Sequence, residues 1–225
     1  MPVPTKQKRL IWITTGVIVV TAILLYGLVL INDTAGGLSD WRMSHAMGLN
    51  ETIRIPLGKT PEDAIQQFRH FPSIDVIHRE PVKEGILLFI KRDYQQESTN
   101  LQVEYARKTW LGWKWGWGGG YGMGLNKSPL QAKSALTYMN FPQVEHISTP
   151  FPMVFGEVLD PSIKSVTVNF KGDKYKAKLT GKELGIQSGS YFYLQRIPFL
   201  LKLRVLMIKV TELLIKHQMI QLIVA

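Results

Sequence analysis

The residues best suited to bind a ligand lie in a run of tryptophan and glycine at positions 109–125, with the sequence TWLGWKWGWGGGYGMGL. Three of its tryptophans are two residues apart, so on a strand they would share one face, with Lys114 on the other. Indole rings in a row can stack on sugars, bind cations or lie at a membrane interface. The same pattern also fits a hydrophobic strand packed beneath a helix. The candidate ligand-binding residues are Trp113, Trp115, Trp117 and Tyr121.

Signatures of catalysis and of cofactor binding are missing from the sequence. The chain has no cysteine, which excludes disulfides, thiol nucleophiles and cysteine-ligated metals. The glycine-rich run lacks the Gly-Lys-Ser of a phosphate loop, because Asn126 precedes Lys127, and residues 185–189 lack one glycine of a nucleophile elbow. The five histidines have no metal-ligand spacing: His45, His70, His78, His146 and His217. We therefore predict no catalytic residue, no metal and no cofactor.

A membrane anchor is indicated by residues 10–31, LIWITTGVIVVTAILLYGLVLI, which are 22 residues without a charge. A helix of about 20 apolar residues can cross the hydrocarbon of a bilayer. Basic residues at positions 6, 8 and 9 precede the run and Asp33 follows it, so the positive-inside rule predicts a cytoplasmic N-terminus and an extracytoplasmic remainder. A cleaved signal peptide is the alternative, but this run is longer than a signal's apolar region, and residues 32–35 make a poor cleavage site.

The charge of the chain favours an anionic neighbour. Lysine and arginine number 27, aspartate and glutamate 17, and the formal net charge is +10. The part beyond residue 31 keeps about +7 of this charge, which suits anionic lipid headgroups or anionic cell-wall polymers. A charge that serves only solubility is the alternative. Nucleic acid is not a predicted partner, because the basic residues are scattered and the predicted location is outside the cytoplasm.

The pattern of the first part beyond the anchor predicts a helix covering an antiparallel meander. Residues 1–9 form a basic tail, and residues 32–50 are rich in glycine and predict a linker. In the module at 51–140, Thr60 is a good N-cap and Pro61 fits the first position of a helix that ends near residue 70. Apolar runs and alternation predict strands at 74–78, 85–92, 101–106 and 110–117. The fold class is therefore α+β.

The module at 141–196 predicts a small β-sandwich, because short strands recur with turns between them. Alternation over residues 166–179 predicts a hairpin with a turn at 171–173. Its solvent face would carry a second candidate binding surface, Lys174, Lys176 and Lys178.

The anchor, the helix start at 58–68, the strand at 85–92 and the segment RKTWLGWKWGWGGGYG at 107–122 together resemble a family of uncharacterised single-pass proteins from Bacillus-like Gram-positive bacteria. The resemblance covers residues 1–195, and the tryptophan and glycine segment is its most specific part. It implies an envelope location and carries over no activity and no functional residue.

The tail at 197–225 differs in composition from the rest of the chain. Residues 199–225 lack Gly, Pro, Asp, Asn and Ser, and lysines at 202, 209 and 216 recur every seven residues. As written, the tail predicts a basic amphipathic helix able to lie on a membrane surface. The alternative is a shifted reading frame after Pro198, because another frame can encode two strands and a glycine-rich turn, which would suit a β-module better. The DNA sequence around Pro198 distinguishes the two.

These patterns together indicate a membrane-anchored, extracytoplasmic accessory or binding protein of the cell envelope. Two alternatives remain open. One is an envelope-acting hydrolase that uses His146 or carboxylates brought together from Glu80, Glu84 and Glu104. The other is a structural partner of another membrane protein, with the anchor itself as the contact.

Overall fold

The computed structural model describes residues 5–94, 98–122, 136–144, 147–160, 162–170, 173–180, 190–195 and 207–212. Its first element is helix α1 (Thr5–Asp33), 29 residues long. The apolar side chains of α1 are exposed all round, and by length and composition the helix can cross a membrane. The helix predicted from residues 10–31 is therefore confirmed, while its membrane topology stays a prediction.

Helix α2 (Leu38–Ala46) occupies the segment for which the sequence predicts a linker. It buries Asp40, Met43 and Ser44. The Ser44 hydroxyl accepts a hydrogen bond from the Ile53 backbone N–H at 2.8 Å. The glycines that suggest a linker lie on either side of this helix and not within it. They allow the chain to turn before and after α2, so that the helix packs against the folded part.

A five-stranded antiparallel sheet, covered by one helix, follows α2. Its strands lie in the order β1-β5-β4-β3-β2, so the predicted meander is confirmed. Helix α3 begins as expected, because the Thr60 hydroxyl accepts a hydrogen bond from the Asp63 backbone N–H at 3.1 Å. The elements are β1 (Leu57–Gly58), α3 (Pro61–Arg69), β2 (Asp75–Val82), β3 (Gly85–Tyr94), β4 (Ser98–Thr109) and β5 (Gly112–Gly122).

Two smaller antiparallel sheets complete the described chain, with strand orders β10-β11-β7-β6 and β12-β8-β9. One apolar cluster contains side chains of both sheets, among them Val154, Val166 and Phe192. The mixed α+β class is confirmed, and the finer β-sandwich arrangement stays a prediction. The strands are β6 (Leu136–Phe141), β7 (Met153–Val158), β8 (Ile163–Phe170), β9 (Asp173–Lys176), β10 (Lys178–Thr180), β11 (Ser190–Gln195) and β12 (Met207–Glu212).

The predicted lysine face is divided between these two sheets. Lys174 and Lys176 are exposed on β9, which pairs with β8 as the predicted hairpin requires. The chain then changes sheet at Ala177, so Lys178 lies on β10 beside β11. The three lysines therefore do not form one continuous strand face.

Six residues of the tail form a strand, β12, where the sequence predicts a helix. Strand β12 pairs antiparallel with β8, with Ile208 opposite Val168. The β-branched residues Ile208, Val210 and Thr211 favour an extended backbone, and pairing satisfies the edge of β8. The rest of the predicted helix, at 197–206 and 213–225, lies outside the described residues.

The first two sheets share a hydrophobic core. Leu87, Phe89 and Val103 of the first sheet cluster with Met153 and Phe155 of the second. The boundary predicted near residue 140 therefore falls in a region where the two parts pack together. On the other face of the first sheet, a separate cluster joins helices α2 and α3 to the strands that carry the tryptophan and glycine run.

Candidate functional site

A β-bulge interrupts the tryptophan row. Ala106 of β4 pairs with Trp115, but the preceding Tyr105 pairs with Trp117, so Gly116 is the extra residue on β5. Trp115 belongs to the cluster under α3, whereas Trp117 packs against the clusters of both faces. The structure thus differs from the predicted single face, because one inserted residue inverts the alternation of a strand.

Trp115 is a core residue, with only 4% of its surface exposed. Its ring stacks on Phe68 of α3, with centroids 4.1 Å apart and an interplanar angle of 18°. The Arg69 guanidinium carbon lies 4.9 Å from the centre of the indole. The ring is therefore already covered by α3 and holds that helix on the sheet.

Glu104 is a fully buried carboxylate that collects hydrogen bonds from three side chains. Trp115 Nε1 donates to its Oε2 at 2.6 Å, and Gln102 Nε2 donates to its Oε1 at 2.7 Å. Arg69 Nη2 lies 3.0 Å from Oε1 and also donates to the Gly118 carbonyl at 2.8 Å. Burial raises the pKa of Glu104, and the charge and hydrogen bonds of its neighbours oppose that rise. This polar cluster fastens the end of α3 to β4 and β5.

The glycine run makes room for this cluster. A Cβ atom on Gly118 would collide with the Glu104 carboxylate, and one on Gly120 would press on the backbone of Gln102. Glycine is therefore required here by the close approach of β5 to the buried carboxylate. Packing around Glu104 therefore accounts for these glycines without a bound phosphate.

We expect Gly118→Ala to lower the free energy of unfolding by about 1–3 kcal/mol, because the new methyl group must displace Glu104 from its partners. Gly119→Ala is the matched control. Its Cβ would lie 3.2 Å from Phe141 Cζ, a contact that a small ring movement relieves, so we expect a loss below about 1 kcal/mol. Denaturant titration followed by tryptophan fluorescence measures both, and equal losses would contradict this reading of Gly118.

Trp113 is the partly exposed member of the four candidate residues that has a cation beside it. Its indole is half-buried, and Lys108 Nζ lies 4.7 Å from the ring centre. Trp117 is also half-buried, and its Nε1 is without a hydrogen-bond partner among the residues described. The side chain of Tyr121 lies outside the described part. Of the four candidates, Trp113 therefore combines partial exposure with a neighbouring cation.

A second polar cluster, which we call the clamp, joins β5 to the end of α1. Lys114 is buried and pairs with Asp40 of α2 at 2.6 Å between Nζ and Oδ1. The same ammonium donates to the backbone carbonyls of Asp33 and Thr34 at 3.0 and 3.1 Å. Burial lowers the pKa of Lys114, an effect that the hydrogen bond and charge of Asp40 oppose.

The clamp extends to the neighbouring strand and to the segments on both sides of α2. Arg107 of β4 pairs with the Asp33 side chain at 2.9 Å. Asp40 Oδ2 accepts hydrogen bonds from the backbone N–H groups of Gly36 and Ile55 at 2.7 and 2.9 Å. A cation at the C-terminal carbonyls of a helix complements the negative end of its dipole. The clamp members are Asp33, Asp40, Arg107 and Lys114.

One small cleft, lined in part by Asp40, Arg107 and Lys114, adjoins the clamp, and a second lies beside it; each is about 190 Å³ in volume. Both are lined by Glu84, Tyr105 and Thr149. Burial and the nearby Glu84 carboxylate raise the pKa of Tyr105 to about 12, so its hydroxyl stays protonated at neutral pH. The Thr149 hydroxyl oxygen is buried with no hydrogen-bond partner in the described part of the chain.

A third polar cluster lies between β2 and the second sheet. Lys178 Nζ is 2.9 Å from Glu80 Oε2, and His78 Nε2 is 3.4 Å from the same oxygen. Burial, and secondarily Glu80, raises the pKa of Tyr193 to about 12. Burial raises the pKa of Glu80, but the nearby Tyr193 hydroxyl and the hydrogen-bonded Lys178 ammonium outweigh it and the net shift is downward. Glu84 and Glu104 are not part of this cluster.

Metal chemistry finds no support in the part of the chain that the structure describes, since no group of three His, Asp or Glu side chains there could hold an ion. His146 and His217 lie outside the described residues. His45 stacks on Trp41, with centroids 5.6 Å apart, and His70 ends α3 in a left-handed conformation at φ 55°.

Comparison of the chain with protein-family models, with curated protein sequences and with solved structures gave no match. The envelope family indicated by the sequence therefore stays a prediction.

The clamp and the polar cluster around Glu104 are not predicted from the sequence. The pairing of Lys114 with Asp40 joins positions 74 residues apart, and no local pattern indicates it. Glu104 is one of the carboxylates singled out in the sequence, but its position opposite Gly118 depends on the pairing of β4 with β5, so its cluster is not predicted.

Proposed function

We propose that this chain is a single-pass membrane protein of the cell envelope whose folded part lies outside the cytoplasm and acts as an accessory or binding protein. The observation that carries the proposal is the clamp, in which Lys114 and Arg107 bind the end of α1. An apolar helix with exposed side chains on every face is suited to lipid. The clamp adds that the folded part is held at the end of this helix.

The short connection between α1 and the folded part favours a protein that works at the membrane surface. Asp33 ends α1, and the buried Asp40 lies only seven positions further along the chain. A domain meant to reach far from the bilayer would need a longer and more flexible connection. We therefore favour a partner or ligand that is itself close to the membrane.

The binding surface that we favour contains the half-buried Trp113 with Lys108 beside it. The exposed Lys174 and Lys176 of β9, in another sheet, are a separate candidate surface. Indole and ammonium groups together suit anionic polymers that carry sugars, because the ring can stack while the cation pairs with the charge. Trp115 is excluded from direct contact with a ligand by its burial under α3.

Location is tested by cysteine labelling in intact cells, since the chain has no cysteine of its own. Lys59→Cys places an exposed thiol just beyond β1, and Lys6→Cys places one before the apolar run. We expect a membrane-impermeant maleimide to label Lys59→Cys in intact cells and Lys6→Cys only after lysis. Labelling in the opposite order would overturn the proposed topology.

Binding is tested with the full chain in detergent and purified anionic wall polymer. We expect Trp113→Ala to weaken binding about tenfold, which corresponds to the loss of ~1.4 kcal/mol of stacking and cation contact. Trp12→Ala, in the apolar run, is the matched control and should bind as the parent does. Unchanged binding by Trp113→Ala would discard the aromatic surface.

A second candidate function, hydrolysis of an envelope component, is favoured by the convergence of His78, Glu80 and Lys178. A carboxylate beside an imidazole can serve in general acid–base catalysis. Neither of the clefts described above contains these residues, so we rank this candidate below binding. A contact of α1 with another membrane protein remains compatible with the proposal.

A further inference from the structure

We propose that the folded part rests on the bilayer itself, through two exposed tryptophans that flank the exit of α1. These are Trp110, at the tip of the β4–β5 hairpin, and Trp41 on α2. The inference rests on the proposed anchoring by α1 and deepens it by naming the lipid interface as a second contact of this chain.

Trp110 is the most exposed large apolar side chain described, at 91%. It follows β4 in a tight turn whose Thr109 hydroxyl accepts a hydrogen bond from the Leu111 backbone N–H at 3.1 Å. A tryptophan held outward by an ordered turn gains nothing in water, whereas the headgroup region accommodates both its apolar ring and its N–H group.

The position of Trp110 relative to α1 is set by the clamp. Arg107 binds Asp33, the last residue of α1, and Trp110 is three positions further along the chain, in the turn that follows β4. At ~3.3 Å per residue the Cα atom of Trp110 lies at most about 10 Å from that of Arg107, the residue that binds the end of α1. The hairpin tip is therefore kept near the end of the apolar helix, where the headgroup layer of a bilayer would lie.

Helix α2 carries the second exposed tryptophan beside a residue of the clamp. Trp41 is 51% exposed and stacks on His45, while the adjacent Asp40 is buried in the clamp. Leu38, one turn earlier, is also exposed. The helix therefore fixes its polar residue inward and presents an aromatic and aliphatic face beside the exit of α1, as an interfacial helix does.

Cations accompany both tryptophans. Arg42 follows Trp41 and is exposed, and the exposed Lys108 lies two positions before Trp110. Basic side chains beside interfacial aromatic rings are attracted by anionic headgroups. The occupant of this surface is accordingly a bilayer that contains anionic lipid.

The test uses nitroxide labels at single cysteines in the full chain, reconstituted in vesicles of zwitterionic and anionic phospholipid. Trp110→Cys and Trp41→Cys probe the proposed contact. Lys164→Cys, exposed on β8, is the aqueous control, and Val20→Cys, exposed in the middle of α1, reports insertion of the anchor. The accessibility of each label to oxygen and to a water-soluble nickel complex gives its depth.

We expect labels 110 and 41 to be protected from the nickel complex and accessible to oxygen, between the values at positions 20 and 164. A lipid signal at position 20 with an aqueous signal at either tryptophan position would overturn this inference and leave the anchor intact. An aqueous signal at position 20 would overturn the anchor, and with it this contact.

Discussion

Lys114→Met should lower the free energy of unfolding by about 3–5 kcal/mol, because it leaves the buried Asp40 without its cation. It also removes the donor to the backbone carbonyls of Asp33, the last residue of α1, and of Thr34, which follows it. Methionine keeps the length and apolar part of the side chain, so lost charge and not lost volume is measured. Denaturant titration of the full chain in micelles, followed by tryptophan fluorescence, gives the loss.

Lys83→Met is the control, since Lys83 is exposed in the β2–β3 turn and should change stability by less than about 0.5 kcal/mol. Adding Asp40→Leu to Lys114→Met should restore part of the loss, because the unpaired buried charge is then gone. Restoration is incomplete, since Asp40 also accepts two backbone hydrogen bonds. A double variant less stable than Lys114→Met would contradict a penalty arising from the orphaned carboxylate.

Glu104→Gln should lower the free energy of unfolding by about 3 kcal/mol despite its nearly identical shape. Each carboxylate oxygen of Glu104 faces a group that can only donate: Oε1 lies 3.0 Å from Arg69 Nη2, and Oε2 accepts from Trp115 Nε1 at 2.6 Å. Whichever way the amide of the variant is turned, its NH₂ group must face a donor. Arg69 also loses its counter-charge, although its partial exposure to water moderates that cost.

Glu62→Gln makes the same chemical change in a more exposed pair. Glu62 Oε1 is 2.9 Å from Arg79 Nε, and the Arg79 side chain is 55% exposed. We expect this control to cost no more than about 1 kcal/mol, as for surface ion pairs. A similar loss in both variants would show that burial of the Glu104 cluster is not what sets its contribution.

Local patterns in the sequence were enough for much of the fold. Thr60 and Pro61 mark the start of α3, and the alternation around Val103 and Tyr105 marks β4, because caps and strand faces depend on neighbouring residues. The prediction of a linker missed α2, whose stability comes from tertiary contacts of Asp40 and Met43. Such contacts have no signature in the segment itself.

The candidate site was less accessible to such reasoning. The sequence predicts one shared face for Trp113, Trp115 and Trp117. The bulge at Gly116 depends on strand pairing, and it places Trp117 differently from Trp115. The clamp depends on a pairing of distant positions that follows only once β5 lies against the end of α1. In both cases the missing information was register, which the period of one strand does not specify.

The distance between α1 and the folded part, measured in vesicles, tests the central claim most directly. Nitroxides at Tyr26→Cys, exposed on α1, and Lys59→Cys, exposed beyond β1, would be compared by pulsed electron spin resonance in the full chain with and without Lys114→Met. A narrow distance distribution that broadens in the Lys114→Met background is the expected result. A distribution equally broad in both would contradict a folded part held at the end of its membrane helix.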